Sequence, residues 1–219
     1  MTKKYDVIII GAGAAGMMSA IEAGKRGRKV LLVDHAKKIG EKIRISGGGR
    51  CNFTNINTNP SKFISNNPKF VIYALNKYTQ NDFINIIKKH KIDFHEKKLG
   101  QLFCDQSAQQ IVDMLLLECK TVNVTIMKET IITEVDKQDN QYFIVIGSDK
   151  YFCNSLIIAT GGLSVPKIGA SKFGYDIAKK FNINIVDTLP ALVPLTFDEK
   201  ILAMCNELSG LSLEAVVFF

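Results

Sequence analysis

The hexad Gly11-Ala12-Gly13-Ala14-Ala15-Gly16 follows directly on the apolar run Tyr5-Asp6-Val7-Ile8-Ile9-Ile10. A strand that stops at a Gly-x-Gly-x-x-Gly turn and opens into a helix leaves few folds to choose from. Gly11 permits the tight turn, Gly13 lets the backbone approach a pyrophosphate, and Gly16 lets the helix pack close to the strand. The helix start offers free N–H groups and the positive end of its dipole to an anion. Met17 to Lys25 reads as that helix. It carries small residues on one side (Ala15, Ser19, Ala20, Ala23), and Gly24 and Gly27 lie near its end. A second buried strand, Lys29 to Val33, runs into Asp34. An acidic residue about 20 positions past the glycines is placed to accept from a ribose hydroxyl. Its charge would repel a 2′-phosphate. The pattern predicts a site for a dinucleotide with free adenosine hydroxyls, FAD or NAD.

The segment after Asp34 bears on the choice between them. Residues 40 to 55 read Gly-Glu-Lys-Ile-Arg-Ile-Ser-Gly-Gly-Gly-Arg-Cys-Asn-Phe-Thr-Asn. The triple glycine Gly47-Gly48-Gly49 disfavours regular helix and strand. It offers close backbone approach and N–H donors that form an anion-binding nest in the right conformation. Lys42, Arg44 and Arg50 add positive charge. Such a loop suits a second stretch of the same cofactor. A flexible surface loop is the competing reading.

The ordered set Gly11 to Gly16, Asp34, Gly40-Glu41-Lys42, Ser46-Gly47-Gly48-Gly49-Arg50-Cys51-Asn52 and Thr54-Asn55 resembles the signature of the HI0933-like bacterial flavoproteins. Ala159-Thr160-Gly161-Gly162, Pro166, Gly169-Ala170-Ser171, Gly174-Tyr175 and Pro190-Ala191-Leu192-Val193-Pro194-Leu195 resemble later blocks of that family. The Ser-Gly-Gly-Gly-Arg-Cys-Asn block is specific, whereas the hexad is shared with many flavoproteins. The resemblance implies an α/β fold: a three-layer, FAD-binding, Rossmann-like architecture of the two-dinucleotide-binding-domain type, with an antiparallel β insertion. FAD would lie extended across it. Gly11, Gly13, Ala14, Ala15 and Gly16 would take the pyrophosphate, Asp34 the adenosine ribose, and His35 would also lie among the cofactor-binding residues. Lys42, Ser46, Gly47, Gly48, Gly49, Arg50, Cys51 and Asn52 would lie along the ribityl and flavin side. Thr160, Gly161 and Gly162 would return the chain to the cofactor, and the backbone at Val135 would meet the adenine.

The resemblance also implies two domains, an FAD-binding domain over residues 1–189 and the start of a β-rich, substrate-side domain over 190–219. The family fold is roughly twice as long, with a last segment that closes over the flavin. On that basis the chain reads as C-terminally truncated. Its apolar end, Val216 to Phe219, would be an open strand prone to aggregation.

Composition narrows the function classes. The chain has 219 residues, 47% hydrophobic and 22% charged, which suits a globular protein with a substantial core. No apolar run approaches the roughly 20 residues of a membrane span. The apolar stretch before Gly11 is too short for a signal peptide, which points to the cytoplasm. The five cysteines are widely spaced and odd in number, so neither a disulfide framework nor a zinc site is read from them. His35, His90 and His95 lack metal-ligand spacing. The net charge of +7 comes from scattered lysines, which reads as a solvated surface, so no nucleic-acid partner is expected.

Elsewhere the periodicity predicts helix within residues 60 to 90, capped at Thr79 or Asn81, with an apolar face of Phe83, Ile84, Ile86 and Ile87. Short strands are expected between Ile92 and Phe103. A helix from Ser107 opens on the capping box Ser107-x-x-Gln110, with Ile111, Met114, Leu115 and Leu117 as core. Val124 to Ile126, Thr130 to Val135 and Tyr142 to Ile146 read as a small antiparallel group, continued by Tyr151 to Cys153. Ser155 to Ala159 reads as a separate buried parallel strand. Ser171 caps a helix to Phe181, and Asn184 to Val186 reads as a strand.

The leading function is a flavin-dependent oxidoreductase that moves hydride between FAD and a small organic substrate, with NAD(P)H as candidate electron donor. In the family, reduction of carbon–carbon double bonds in steroid-like acids is one such chemistry. Two alternatives stand beside it: a non-catalytic flavoprotein remnant, and a tRNA-modifying flavoenzyme suggested by the charge. No hydrolytic triad is present, and no catalytic residue is assigned. Cys51 beside Arg50 invites a redox role through a lowered pKa. A packing thiol is the stronger reading, because no second cysteine is expected nearby to form a pair.

Overall fold

The computed structural model describes residues 2–165, 168–190, 196–208 and 211. The chain divides into two units, Met1–Ile183 and Asn184–Phe219.

The first unit grows from the predicted β-α-β start. Strand β1 (Thr2–Ile10) leads through the glycine turn into helix α1 (Ala14–Lys25) and strand β2 (Val30–Val33). The two strands pair in parallel, Val7 opposite Val30 and Ile10 opposite Val33. Side chains alternate across a strand. Val7, Ile9, Val30 and Leu32 therefore pack on one face with Met17, Ala20 and Ile21 of α1. Ile8, Ile10, Leu31 and Val33 pack on the other. Ile8, Ile9, Leu31 and Leu32 have no exposed surface. Each such side chain contributes about 1.5–3 kcal/mol of transfer free energy.

Residues 41–62 form helix α2 (Glu41–Ile45), a tight glycine turn, strand β3 (Asn52–Asn55) and one 3₁₀ turn at Pro60–Lys62. The expected helical stretch 60–90 is broken. It holds only α3 (Ile72–Lys77) and α4 (Gln80–Lys89), with Tyr78 extended between them at φ −138° and ψ 107°. Thr79, not Asn81, caps α4. Its hydroxyl accepts from Asp82 N, and the Asp82 carboxylate accepts from Thr79 N at 2.7 Å. Strands β4 (Phe94–Glu96) and β5 (Gln101–Cys104) join β3 in a three-stranded antiparallel sheet. Phe53 of β3 contacts Phe94 and, across to α4, Phe83.

Helix α5 (Gln109–Thr121) lies on the same side as α1, and Ile111, Val112 and Leu115 complete that core. Its capping box is half formed. Gln110 Oε1 accepts from Ser107 N at 3.4 Å, but Ser107 Oγ accepts from Gln109 N. Leu117, expected in the core, is exposed. His90 and Lys89 at the end of α4 tie to the buried Glu118 of α5 at 2.6 and 2.8 Å.

Strand β6 (Thr125–Met127) pairs in parallel with β2. This overturns the expectation that Val124–Ile126 belongs to the antiparallel group. Strands β7 (Ile132–Gln138) and β8 (Gln141–Ile146) form a hairpin on an Asp139-Asn140 turn with positive φ at both residues. Strand β9 (Asp149–Ile158) is one ten-residue strand, not the two short ones expected. Its first half pairs with β8, and nearly its whole length pairs in parallel with β1. The sheet order is β6-β2-β1-β9-β8-β7. Leu156 to Ile158 are half-buried, less covered than expected. Val135 and Ile144 pack with Ile8, Ile10, Leu31 and Val33. The fold is thus a layered α/β fold on a mixed six-stranded sheet: α1 and α5 cover one face of its parallel part, and the antiparallel β7–β8 edge and helix α6 (Phe173–Lys180) contribute to the core on the other. Lys172 occupies the N-cap of α6, and Ser171 accepts from Phe173 N at 3.4 Å.

In the second unit, Asn184–Val186 is not a strand. Helix α7 (Glu199–Glu207) is capped by Asp198, whose carboxylate accepts from Ile201 N at 2.9 Å. The expected strand-like runs at Leu192–Leu195 and Leu211–Phe219 lie outside the described residues save for Leu211, as does Pro166. Among the described residues, no helix is long and apolar enough to cross a membrane.

Candidate functional site

The site is built at the carboxyl ends of β1, β2 and β9. Gly11 has φ +104°, and a side chain there would strike the Ala159 carbonyl. A side chain on Gly16 would strike the Gly11 carbonyl oxygen. These two glycines are demanded by the fold itself. Gly13 differs, because a Cβ built on it meets nothing within 4 Å. It is the N-cap of α1, makes no side-chain cap, and precedes a first turn without an acid. The fold therefore leaves open space beside the free N–H groups of a twelve-residue helix, a cradle of the kind a pyrophosphate fills.

Asp34 sits just past β2 with its side chain 11% exposed. One carboxylate oxygen accepts from Ala12 N at 2.5 Å, the other from Ala36 N at 2.8 Å. The carboxylate thus ties the glycine turn to the segment after β2. Each oxygen keeps a second lone pair for a ribose hydroxyl. Thr130 donates its N–H to the Asp34 carbonyl at 3.0 Å and is buried. Sequence reasoning missed Thr130, because nothing local marks it. His35 is exposed, 3.5 Å from the Asp34 carboxylate, with its other edge against Gly169.

Lys42 of α2 reaches across to the segment after β9. Its ammonium donates to the Gly162 carbonyl at 2.8 Å and to Ser164 Oγ at 2.9 Å. The same ammonium is 3.5 Å from where a Gly161 Cβ would stand. Thr160 Oγ1 lies against Gly174 at the start of α6. Gly11 to Gly16, Asp34, Lys42 and residues 159–164 are therefore brought together. Val135 is held differently: its side chain is in the core and its carbonyl accepts from Lys180 Nζ at 2.7 Å.

The triple glycine makes a left-handed turn. Gly47 (φ 59°, ψ 33°) and Gly48 (φ 65°, ψ 33°) share one hand, so these two do not form the alternating nest anticipated. A side chain on Gly47 would strike the Phe103 ring, whereas one on Gly48 would meet nothing. Ser46 Oγ donates to Ile43 O at 2.7 Å. The turn is fastened to α5 by Ala108 N donating to Gly49 O at 2.7 Å. Arg50 is exposed, and Asn52 opens β3 opposite Phe103.

Cys51 is buried, and burial pushes its thiol pKa up despite the neighbouring Arg50, as the favoured packing-thiol reading expects. The premise of that reading is corrected, because a second cysteine is near in space. Cys104 N donates to Arg50 O at 2.9 Å, and Cys104 is pushed up to about 12, first by burial and next by Cys51. Both thiols stay protonated and unreactive near neutral pH. Among the described residues, no group of three or more His, Cys, Asp or Glu is placed to hold a metal ion.

The model of the HI0933-like protein Rossmann domain matches residues 5–216. The chain belongs to the HI0933-like family. It is 48% identical over 215 residues to the ribosomal RNA dihydrouridine synthase of Escherichia coli K12, covering 98% of this chain and 54% of that protein. The Haemophilus influenzae protein of the same name is 44% identical over 221 residues, covering 99% of this chain and 55% of that one. This HI0933-like chain thus spans about half the length of the curated relatives it matches. Among solved structures, it resembles the open conformation of a flavocytochrome c3 fumarate reductase. The TM-score is 0.57 at 18% identity, covering 81% of this chain and 40% of that one, which is a likeness of fold. The shared architecture is a Rossmann-like α/β fold.

Proposed function

We propose that this chain is the FAD-binding part of a flavin-dependent reductase that saturates a uridine ring in ribosomal RNA. The observation that carries the cofactor is the open cradle at Gly13. Gly13 and the N–H groups of Ala14 and Ala15 would hold the pyrophosphate, and Asp34 the ribose. Lys42 would stand between that end and the Ser46–Asn52 loop, with Thr160 to Gly162 closing the opposite wall. The substrate class is supported by the names of the two bacterial relatives, which share nearly half of this chain's residues. It replaces the small organic substrate as the leading proposal.

FAD held there, once reduced, would supply the hydride for saturating a carbon–carbon double bond, the second hydrogen arriving as a proton. The chain's own residues bind and orient. The α1 N-terminus would neutralise phosphate charge and Asp34 would fix the adenosine end, while the buried Cys51 packs in the core. NAD(P)H is the proposed reductant, and the cytoplasm the proposed location.

The test is spectroscopic first. Purified chain mixed with FAD and desalted should keep a band near ~450 nm, as bound oxidised flavin does. Colourless protein would overturn the cofactor. The flavin is then reduced anaerobically and a uridine-containing ribosomal RNA fragment added. Reoxidation with dihydrouridine in the RNA is expected. Retained flavin with unchanged RNA would remove RNA as the substrate and leave the flavoprotein standing.

A further inference from the structure

A cleft of about 350 Å³ opens beyond the carboxyl ends of β2 and β6. Lys37, Lys38, Arg44 and Lys128 line it, and no acidic residue does. Ile39, Leu116 and Ile126 supply its apolar lining. We infer that this cleft is a second binding site, separate from the dinucleotide cradle, and that it grips the phosphate backbone of an RNA strand.

Separateness follows from the lining. None of Gly11 to Gly16, Asp34, Lys42, Ser46 to Asn52 or Thr160 to Gly162 contributes to it. Leu116 comes from α5, on the helix side of the sheet, whereas the hairpin and α6 pack on the other side.

The ligand class follows from charge and shape. Four cations converge on one concavity, so like charges repel unless an anion sits among them. Arg44 spends its Nε on the Ile39 carbonyl at 2.9 Å and so braces the cleft wall. Lys37, Lys38 and Lys128 have no ion-pair partner among the described residues. Lys37 and Lys38 are adjacent after β2, and Lys128 follows β6. The charges thus approach from two chain segments, as needed to flank a strand. A concave cleft admits a polymer strand or a nucleotide but not a flat lipid surface. The volume suits about one nucleotide, with sugar and base over the aliphatic side chains and phosphates on the ammonium groups. With no aromatic ring to stack on and no fixed base-reading group, the grip should be tolerant of sequence.

This inference rests on the proposal that RNA is the substrate, and the flavin band reports on the cofactor independently. The experiment compares the chain with K37A/K38A/K128A and K37E/K38E/K128E. Arg44 is left in place because it braces the wall. The probe is a fluorescent, mixed-sequence single-stranded RNA, titrated across a range of salt, with AMP and inorganic phosphate in parallel. The alanine variant should bind RNA at least ~10-fold more weakly at low salt. Its slope of log affinity against log salt should shrink by about 2, near 0.7 per lost phosphate contact. The glutamate variant should bind more weakly still, and K37R/K38R/K128R should bind as the parent does. FAD uptake and circular dichroism should be the same in all. RNA binding that the alanine variant retains in full would overturn the proposal. So would a parent chain that holds FAD but no RNA, or variants that lose AMP while keeping RNA, since the cleft would then be a mononucleotide site.

Discussion

The turn at Gly11–Gly16 and the turn at Ser46–Gly49 each carry three glycines, yet the fold uses them differently. In the first, Gly11 and Gly16 are fixed by backbone contact, and Gly13 faces open space at ordinary negative φ, −80°. In the second, Gly47 is fixed by the Phe103 ring, and Gly48 faces open space at φ +65°. Gly13 is therefore a position where only a ligand objects to a side chain. Gly48 is one where the backbone objects as well. The lesson is that a glycine motif mixes two demands, one from the fold and one from the ligand, and the neighbours of a virtual Cβ separate them.

Substitutions test that separation. The largest effect is expected at Gly16. Gly16→Ala puts a methyl group into the Gly11 carbonyl, so stability should fall by about 3 kcal/mol or more, read as a lower midpoint in thermal unfolding. A variant as stable as the parent would break the comparison at its firmest point. Asp34→Ala comes next. It removes the acceptor for Ala12 N and Ala36 N, so the FAD-free chain should lose about 2 kcal/mol in urea unfolding, with weaker FAD binding besides. Loss of FAD affinity alone would mean that the carboxylate serves the ligand and not the turn.

Gly13→Ala should leave unfolding within about 0.5 kcal/mol of the parent. FAD affinity should drop at least ~10-fold, about 1.4 kcal/mol, in a fluorescence titration. An unchanged affinity would return Gly13 to the class of incidental glycines. The smallest effect belongs to Gly48→Ala. Its left-handed backbone should cost about 1 kcal/mol of stability even without cofactor. If Gly48→Ala were silent in unfolding while Gly13→Ala was not, the assignment of the two turns would be reversed.

Much of this was legible in local pattern. The run Val7 to Ile10, the hexad and the run Val30 to Val33 each announce their element, because strand, turn and helix start are all set within a dozen residues. The helical stretch proposed between 60 and 90 failed for a local reason: Pro60, Pro68 and the asparagines around them interrupt an apolar pattern whose spacing alone looks helical. Other misses are long-range. Val124 to Ile126 has the same character whether it joins β2 or a hairpin. Only the parallel docking of Leu31 to Val33 against Thr125 to Met127 decides it. The Cys51–Cys104 proximity depends on the register that sets Asn52 opposite Phe103, which no spacing in sequence reveals. The basic cleft draws its lining from four separate segments, so the scattered lysines read as surface until the fold gathers four cations around one hollow.

Strand β9 has a consequence for what natural variation this site can absorb. Its ten residues span about 33 Å and keep register with β1 from Lys150 to Ile158. It acts as a ruler laid from the hairpin to the glycine turn after β1. Its far mark is Ala159, whose N–H donates to Ile10 O at 2.8 Å and whose carbonyl borders Gly11. Adding residues in the Gly147-Ser148 turn leaves the ruler unmoved, whereas removing one between Lys150 and Ile158 slides every later mark and turns the core side chains outward. Length change in this lineage should therefore collect in the hairpin turns, with β9 kept at constant length while its side chains drift.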